Sequence, residues 1–273
     1  GRGFRTGRWH SRVSGRPEVL SELPTAVLAE EIETPGEGQI KAMITIAGNP
    51  VLSAPDGDRL DRALAGVGFM VSIDPYLNET TRHADVILPP PPPSRSPHFD
   101  FALNALAVRN NARYSPPVLP LKTGPDEAEI LARIALVLYG VGVGADPALV
   151  DEQVIATTLA KETADAASPV TGRAVDELTA MLEDGPGYER RLDMMLRLGA
   201  YGAAFGARTE GLTLKRLKAA PHGIDLGPLQ SRLPDLLRTA SGLIELAPPP
   251  LVTDAARLRD SLEHRTEGFV LIG

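Results

Sequence analysis

Gly48-Asn49-Pro50, Asp74 and Asn78 are the residues of this chain whose types and spacing could do chemistry. Glycine lets a backbone approach a ligand closely, and a helix that follows it offers unpaired N–H groups to a phosphate. Asp74 stands 26 positions after Gly48. In nucleotide-binding βαβ units an acidic residue about 20 positions on accepts hydrogen bonds from ribose hydroxyls. The chain has no G-x-G-x-x-G, so this reading rests on placement at strand ends. Asn78, just before Glu79-Thr80-Thr81, either joins the same ligand or caps a short helix.

The elements that must position these residues lie between 40 and 93. Met43–Ala47, Phe69–Ile73 and Val86–Leu88 are short apolar runs rich in β-branched residues, and each is followed by turn chemistry. Because the apolar residues run on rather than alternate, they read as buried parallel strands. Leu60, Ala63 and Leu64 between the first two have helical spacing, with Asp56 and Asp58 before them and Gly66 after. Acidic start and glycine stop mark a helix. Strand, helix, strand of this length is a βαβ crossover, and its ligands belong at the carboxyl ends of the strands.

The wording is more specific than the spacing. Gly48-Asn49-Pro50 after a strand, then Ile73-Asp74-Pro75, Thr80-Thr81-Arg82-His83-Ala84-Asp85 and Val86-Ile87-Leu88-Pro89, resembles the molybdopterin oxidoreductases. That resemblance implies an α/β fold: a parallel-dominated, doubly wound sheet of the dinucleotide-binding type over 40–140, followed by a mainly helical region. It implies a bis molybdopterin guanine dinucleotide cofactor with Mo or W and two-electron redox chemistry of the formate dehydrogenase, nitrate reductase or sulfoxide reductase kind. Gly48, Asn49 and Asp74, with Asn78, would hold a guanosine–phosphate portion of one dinucleotide. It also implies a 4Fe-4S cluster in an upstream region, the remaining domains of the same enzyme as partners, and an electron-transfer partner. Where many members have a Glu-x-x-Gly-like sequence after Leu-Pro, this chain has His98-Phe99-Asp100-Phe101, a departure at the expected cofactor edge.

The 273 residues can form one large or two modest domains. A net charge of −7 argues against a nucleic-acid binder. No apolar run reaches the length of a membrane span and no leader pattern is visible at the start, which places the expectation in the cytoplasm. The absence of cysteine excludes disulfides, thiolate metal ligation and iron–sulfur ligation by this chain. His10, His83, His98, His222 and His264 are scattered and form no H-x-x-x-H pair, so no metal or catalytic residue is assigned. The Gly1 start and the apolar run Phe269–Gly273 at the end suggest an internal fragment, expected to catalyse nothing alone.

Along the rest of the chain, residues 1–39 read as a connector arm and short helices. Arg2, Arg5, Arg8, Arg12 and Arg16 suit a solvated loop, Trp9 a packing anchor, Glu18–Ile32 two short helices or a helix and a turn, and Glu30, Glu31 and Glu33 a solvated face. Pro89–Pro93 is a stiff polyproline II loop, either a partner ligand or a rigid cofactor-lining segment. Ala105–Arg109 reads as a strand running into an extended loop. Pro125–Tyr139 is the clearest helix, with acids in its first turn and Gly140 closing it. Over 141–240 the texture is helical: Leu149–Glu162, Ala174–Leu182 and Tyr188–Leu198, with Met181, Met194 and Met195 as core filler, Asp176 a solvated acid and His222 a turn residue. Within 241–273, Ser241–Leu246 resembles a hairpin strand leading into a truncated C-terminal domain whose first strand would be Phe269–Gly273. Two other classes remain open: a non-catalytic nucleotide-binding α/β module like the central domain of a thiamine diphosphate enzyme, and a structural subunit on a degenerate cofactor fold.

Overall fold

The N-terminal arm folds back on itself because Glu18 gathers its donors. In this computed structural model, which describes residues 6–264 and 268–269, β1 (Thr6–His10) pairs antiparallel with β2 (Pro17–Val19). Glu18 is fully buried and accepts from the Arg8 backbone N–H at 3.1 Å, the Ser21 N–H at 2.5 Å and the Arg8 guanidinium. Those bonds hold its carboxyl down at about 2. Arg12 bonds the Thr34 carbonyl at 2.7 Å and pairs with Glu31 at 3.2 Å, which ties the hairpin to α1 (Leu28–Glu33). The solvated-loop reading of this arm is therefore corrected to a hairpin, the expected helix and turn follow it as a 3-10 turn over Thr25–Val27 and α1, and Glu31 is buried rather than solvated. Trp9 is exposed, with the Arg8 guanidinium 4.5 Å over its ring, so it anchors no core.

The α/β layer comes next. It runs β3 (Ala42–Ile46), α2 (Pro50–Ser53), α3 (Gly57–Leu64), β4 (Phe69–Ile73) and β5 (Val86–Ile87). β4 is central and parallel to both neighbours, in register Ala42↔Phe69 to Ile46↔Ile73 on one side and Val71↔Val86 on the other. One face is closed by Leu60, Ala63 and Leu64 of α3, with Ala29 and Ile32 of α1, packing on Met70. Burying each such leucine is worth about 1.5–3 kcal/mol. The Thr45 and Ser72 hydroxyls satisfy each other at 2.7 Å across the strands. The opposite face is partly open, contrary to the expectation of strands buried on both sides: Ile44, Ile46 and Phe69 are exposed.

Two small antiparallel pairs follow. β6 (His98–Phe99) and β7 (Arg109–Ala112) precede β8 (Tyr114–Ser115), which pairs with β6. The expected strand at Ala105–Arg109 is displaced, because Asp100 accepts from the Leu103 N–H at 2.8 Å and starts a 3-10 turn over Leu103–Leu106. α4 (Glu127–Leu138) is capped by Asp126, which accepts from the Glu129 N–H at 2.7 Å, and Gly140 closes it at φ +74°. α4 borders the open sheet face across an apolar cleft of about 430 Å³ lined by Ile44, Phe69, Ile134 and Val137.

The helical part contains α5 (Ala148–Ala164), α6 (Val175–Ala180), α7 (Gly187–Leu198) and α8 (Leu214–Lys218). Asp193 of α7, fully buried, accepts from the Glu183 N–H at 3.0 Å, the Leu214 N–H at 2.8 Å and the Arg197 guanidinium at 2.8 Å. Met194 is core and Met181 packs against it, but Met195 is exposed, which corrects its reading as filler. β9 (Ile224–Pro228) returns to pair antiparallel with β7.

Residues 6–229 form one compact unit and residues 230–264 another. The second contains α9 (Pro249–Glu263). Its segment Ser241–Leu246 is turn and irregular chain rather than the expected strand, since a lone β segment without a pairing strand has nothing to satisfy its backbone. Most of the expected strand Phe269–Gly273 lies outside the described residues.

Candidate functional site

The carboxyl ends of β3 and β4 adjoin, because the two strands pair along their whole length. The chain leaves β3 through two left-handed residues, Ala47 at φ +54° and Gly48 at φ +76°. Glycine accepts that geometry freely, whereas Ala47 holds it at a steric cost of about 1–2 kcal/mol. Backbone strain of this kind gathers at ligand sites. Nothing lies within 4 Å of where a Gly48 side chain would begin, so the loop faces open space.

The short helix after Gly48 does not offer the free N–H groups expected of it. Pro50, at its first position, has none. The Val51 N–H is given to Thr80 Oγ1 at 3.2 Å, and those of Leu52 and Ser53 to the Asn49 carbonyl, each at 3.0 Å. The N–H groups of Gly48 and Asn49 remain, and neither is bonded among the described residues.

The Asn49 side chain is spent within the protein. Its Nδ2 donates to Glu79 Oε2 at 2.6 Å and its Oδ1 accepts from Thr80 Oγ1 at 2.7 Å. The Asn49 bond is the first cause holding the Glu79 carboxyl below its ordinary range. Asn78 acts as the cap that its position suggested: its Oδ1 accepts from the Thr80 N–H at 3.0 Å and the Thr81 N–H at 2.9 Å. Only its Nδ2 is left toward a ligand.

Asp74 is buried, and its Oδ1 accepts from the Tyr76 N–H at 2.7 Å. Its Oδ2 has no partner among the described residues and is not sealed from solvent. The turn that follows is built to stay put. Arg82 grips Asp61 of α3 at 2.6 and 2.7 Å, His83 reaches the same carboxylate at 2.6 Å, and Asp85 accepts from the Met70 N–H at 2.8 Å. Arg82 first, then His83, holds the Asp61 carboxyl below its ordinary range.

At the carboxyl edge, then, an acceptor oxygen of Asp74 stands on one strand end and two backbone donors, Gly48 and Asn49, on the next. An anionic group on a hydroxylated ring matches that set: N–H groups toward the anion, carboxylate toward the hydroxyls. Sequence reasoning missed Thr80 and Glu79, whose hydroxyl and carboxylate fasten the two loops together. It also missed the strained Ala47. Among the described residues no group of three or more His, Cys, Asp or Glu could hold a metal ion, and no helix is long and apolar enough to cross a membrane.

No family model matches the chain, and no solved structure matches it. A stretch of 70 residues, 25% of the chain, is 38% identical to part of the assimilatory nitrate reductase catalytic subunit of Bacillus subtilis (strain 168). That stretch is 10% of the relative, so the chain spans only a small part of the length of the curated protein it matches.

Proposed function

We propose that this chain is part of a molybdopterin-dependent oxidoreductase and that the carboxyl edge of β3 and β4 holds the guanosine–phosphate portion of a molybdopterin guanine dinucleotide. The observation that carries the reading is the adjacency of Gly48 and Asp74 on paired parallel strand ends, with a free carboxylate oxygen beside two free N–H groups. The similarity to a nitrate reductase catalytic subunit supports the same enzyme class over a quarter of the chain. The cofactor, when bound, supplies two-electron redox chemistry at Mo or W.

The residues present fit such a group. The open space over Gly48 admits a close approach of the phosphate, and the N–H groups of Gly48 and Asn49 donate to it. Asp74 Oδ2 accepts from the ribose hydroxyls and fixes the ring, and Asn78 Nδ2 is a further donor at the same edge. The chain contains no cysteine, so a 4Fe-4S cluster and any thiolate ligand to the metal belong in this reading to other parts of the enzyme. An electron-transfer partner and a cytoplasmic location complete it.

The test is a titration of the chain with guanosine diphosphate, followed by the chemical shifts of the Gly48 and Asn49 amides and by calorimetry. Removing a charge-assisted hydrogen-bond set costs about 1.5–3 kcal/mol, so Asp74→Ala should weaken binding by about 10- to 150-fold with the fold intact. In the enzyme that contains this chain, the same substitution should lower cofactor content. Wild-type affinity and wild-type molybdenum content in that variant would overturn the assignment.

A further inference from the structure

A second cavity, of about 210 Å³, lies between the β7–β9 pair and the C-terminal end of α7. Its lining residues include Phe99, Phe101 and Tyr201 together with Asn104, Asn110 and Asn111. Each amide donates its Nδ2 to a backbone carbonyl: Asn104 to Asn111 at 2.8 Å, Asn110 to Pro228 at 3.0 Å, Asn111 to Arg109 at 3.0 Å. A carbonyl accepts and cannot donate, so these bonds fix which end of each amide is nitrogen. The three Oδ1 atoms are left as acceptors without a partner among the described residues, and none is sealed from solvent.

The strand pairing is interrupted at this place. Asn110 faces Gly227 and Asn111 faces Asp225, which leaves Leu226 as an extra residue on β9. Asn110, Asn111 and Ala112, consecutive on β7, all line the cavity. Bulges recur beside ligand sites.

We propose that this cavity binds a small, uncharged aromatic ligand bearing N–H donors, such as a carboxamide or an amino-substituted heterocycle. Three fixed acceptors select donors and reject a carboxylate. The lining has no ionised side chain, so a cation would lose its hydration without a counter-charge. The rings of Phe99, Phe101 and Tyr201 offer faces and edges on which a planar body stacks. The proposal does not depend on the nucleotide reading of the β3–β4 edge.

The probe series is benzamide, benzamidinium, benzoate and toluene, nearly equal in size, each titrated into the intact chain by calorimetry and by the amide spectrum of residues 104–112. Benzamide should bind saturably, with the other three at least about tenfold weaker, the loss expected when one or more hydrogen bonds are unmade or a charge is buried. Phe101 is 69% exposed, so Phe101→Ala should fold normally and weaken benzamide several-fold by removing one stacking face. Asn104→Ala should reduce the preference of benzamide over toluene, whatever it does to stability. Equal affinity for benzamide and toluene would show an apolar hole and overturn the proposal. Benzoate binding as well as benzamide, or no saturable binding of benzamide, would overturn it too.

Discussion

At the scale of single residues, the hydroxyl of Thr80 holds two loops. It donates to Asn49 Oδ1 and accepts from the Val51 N–H, so the segment after β3 is fastened to the segment after β4. The side chain is fully buried, and water cannot replace it cheaply. Thr80→Val keeps the shape and removes both bonds, leaving a buried acceptor and a buried donor unpaired. The expected loss is about 1–3 kcal/mol, read as a lower urea midpoint with an unchanged slope. Thr80→Ser, which keeps the oxygen, should recover most of it. Equal midpoints for the valine and serine variants would mean that the hydroxyl does no holding. This is also why Asn49 reads differently in the fold from the way it does in the sequence. Beside Gly48 it looks like a ligand contact, but its amide faces inward to Glu79 and Thr80, and only its N–H is left at the site.

At the scale of elements, the N-terminal hairpin carries its own pH dependence. The Glu18 carboxyl is held at about 2, first by the Arg8 guanidinium and then by the Ser21 and Arg8 N–H groups, against an ordinary value of 4.5. A carboxyl depressed in the folded state stabilises fully above its ordinary value, and the benefit is lost as pH falls from there through the folded value. Protection of the Arg8 and Ser21 amides, their exchange relative to the intrinsic rate at the same pH, should therefore be full above about pH 4.5 and fall progressively toward pH 2, while Glu18→Gln should be less protected at neutral pH with little further change in acid. A flat profile in the native chain would remove Glu18 from that role. None of this was legible locally, because a glycine- and arginine-rich stretch has no apolar period to mark a strand. α4 was legible, since its acid cap, apolar spacing and glycine stop all act within one helix. So were β3, α3 and β4, and with them the placement of Gly48 beside Asp74. β9 was not: Ile224–Pro228 contains glycine and proline, and it is a strand only because β7, more than 110 residues earlier, supplies its partner.

At the scale of the whole molecule, burial is distributed very unevenly. Residues 6–229 contain three buried apolar clusters, around Leu60, Leu159 and Leu217. Among residues 230–264 no side chain is buried. Leu251, Leu258 and Leu262 of α9 are exposed at 71%, 53% and 75%, so that helix covers no apolar stripe of its own. Isolated helices of about 15 residues are marginal in water, because a costly first turn is repaid by few hydrogen bonds. Burial of an amphipathic face is what ordinarily stabilises such a helix. Opening free energies should accordingly be near zero in α9 and approach the global value around Leu60 and Leu159. Amide exchange followed by mass spectrometry should label α9 fully before α5 begins to label, and sparing protease should cut first within residues 230–264. Protection of α9 equal to that of α5 would mean that its leucines are covered in solution, and the exposed stripe would then be an interface rather than a free surface.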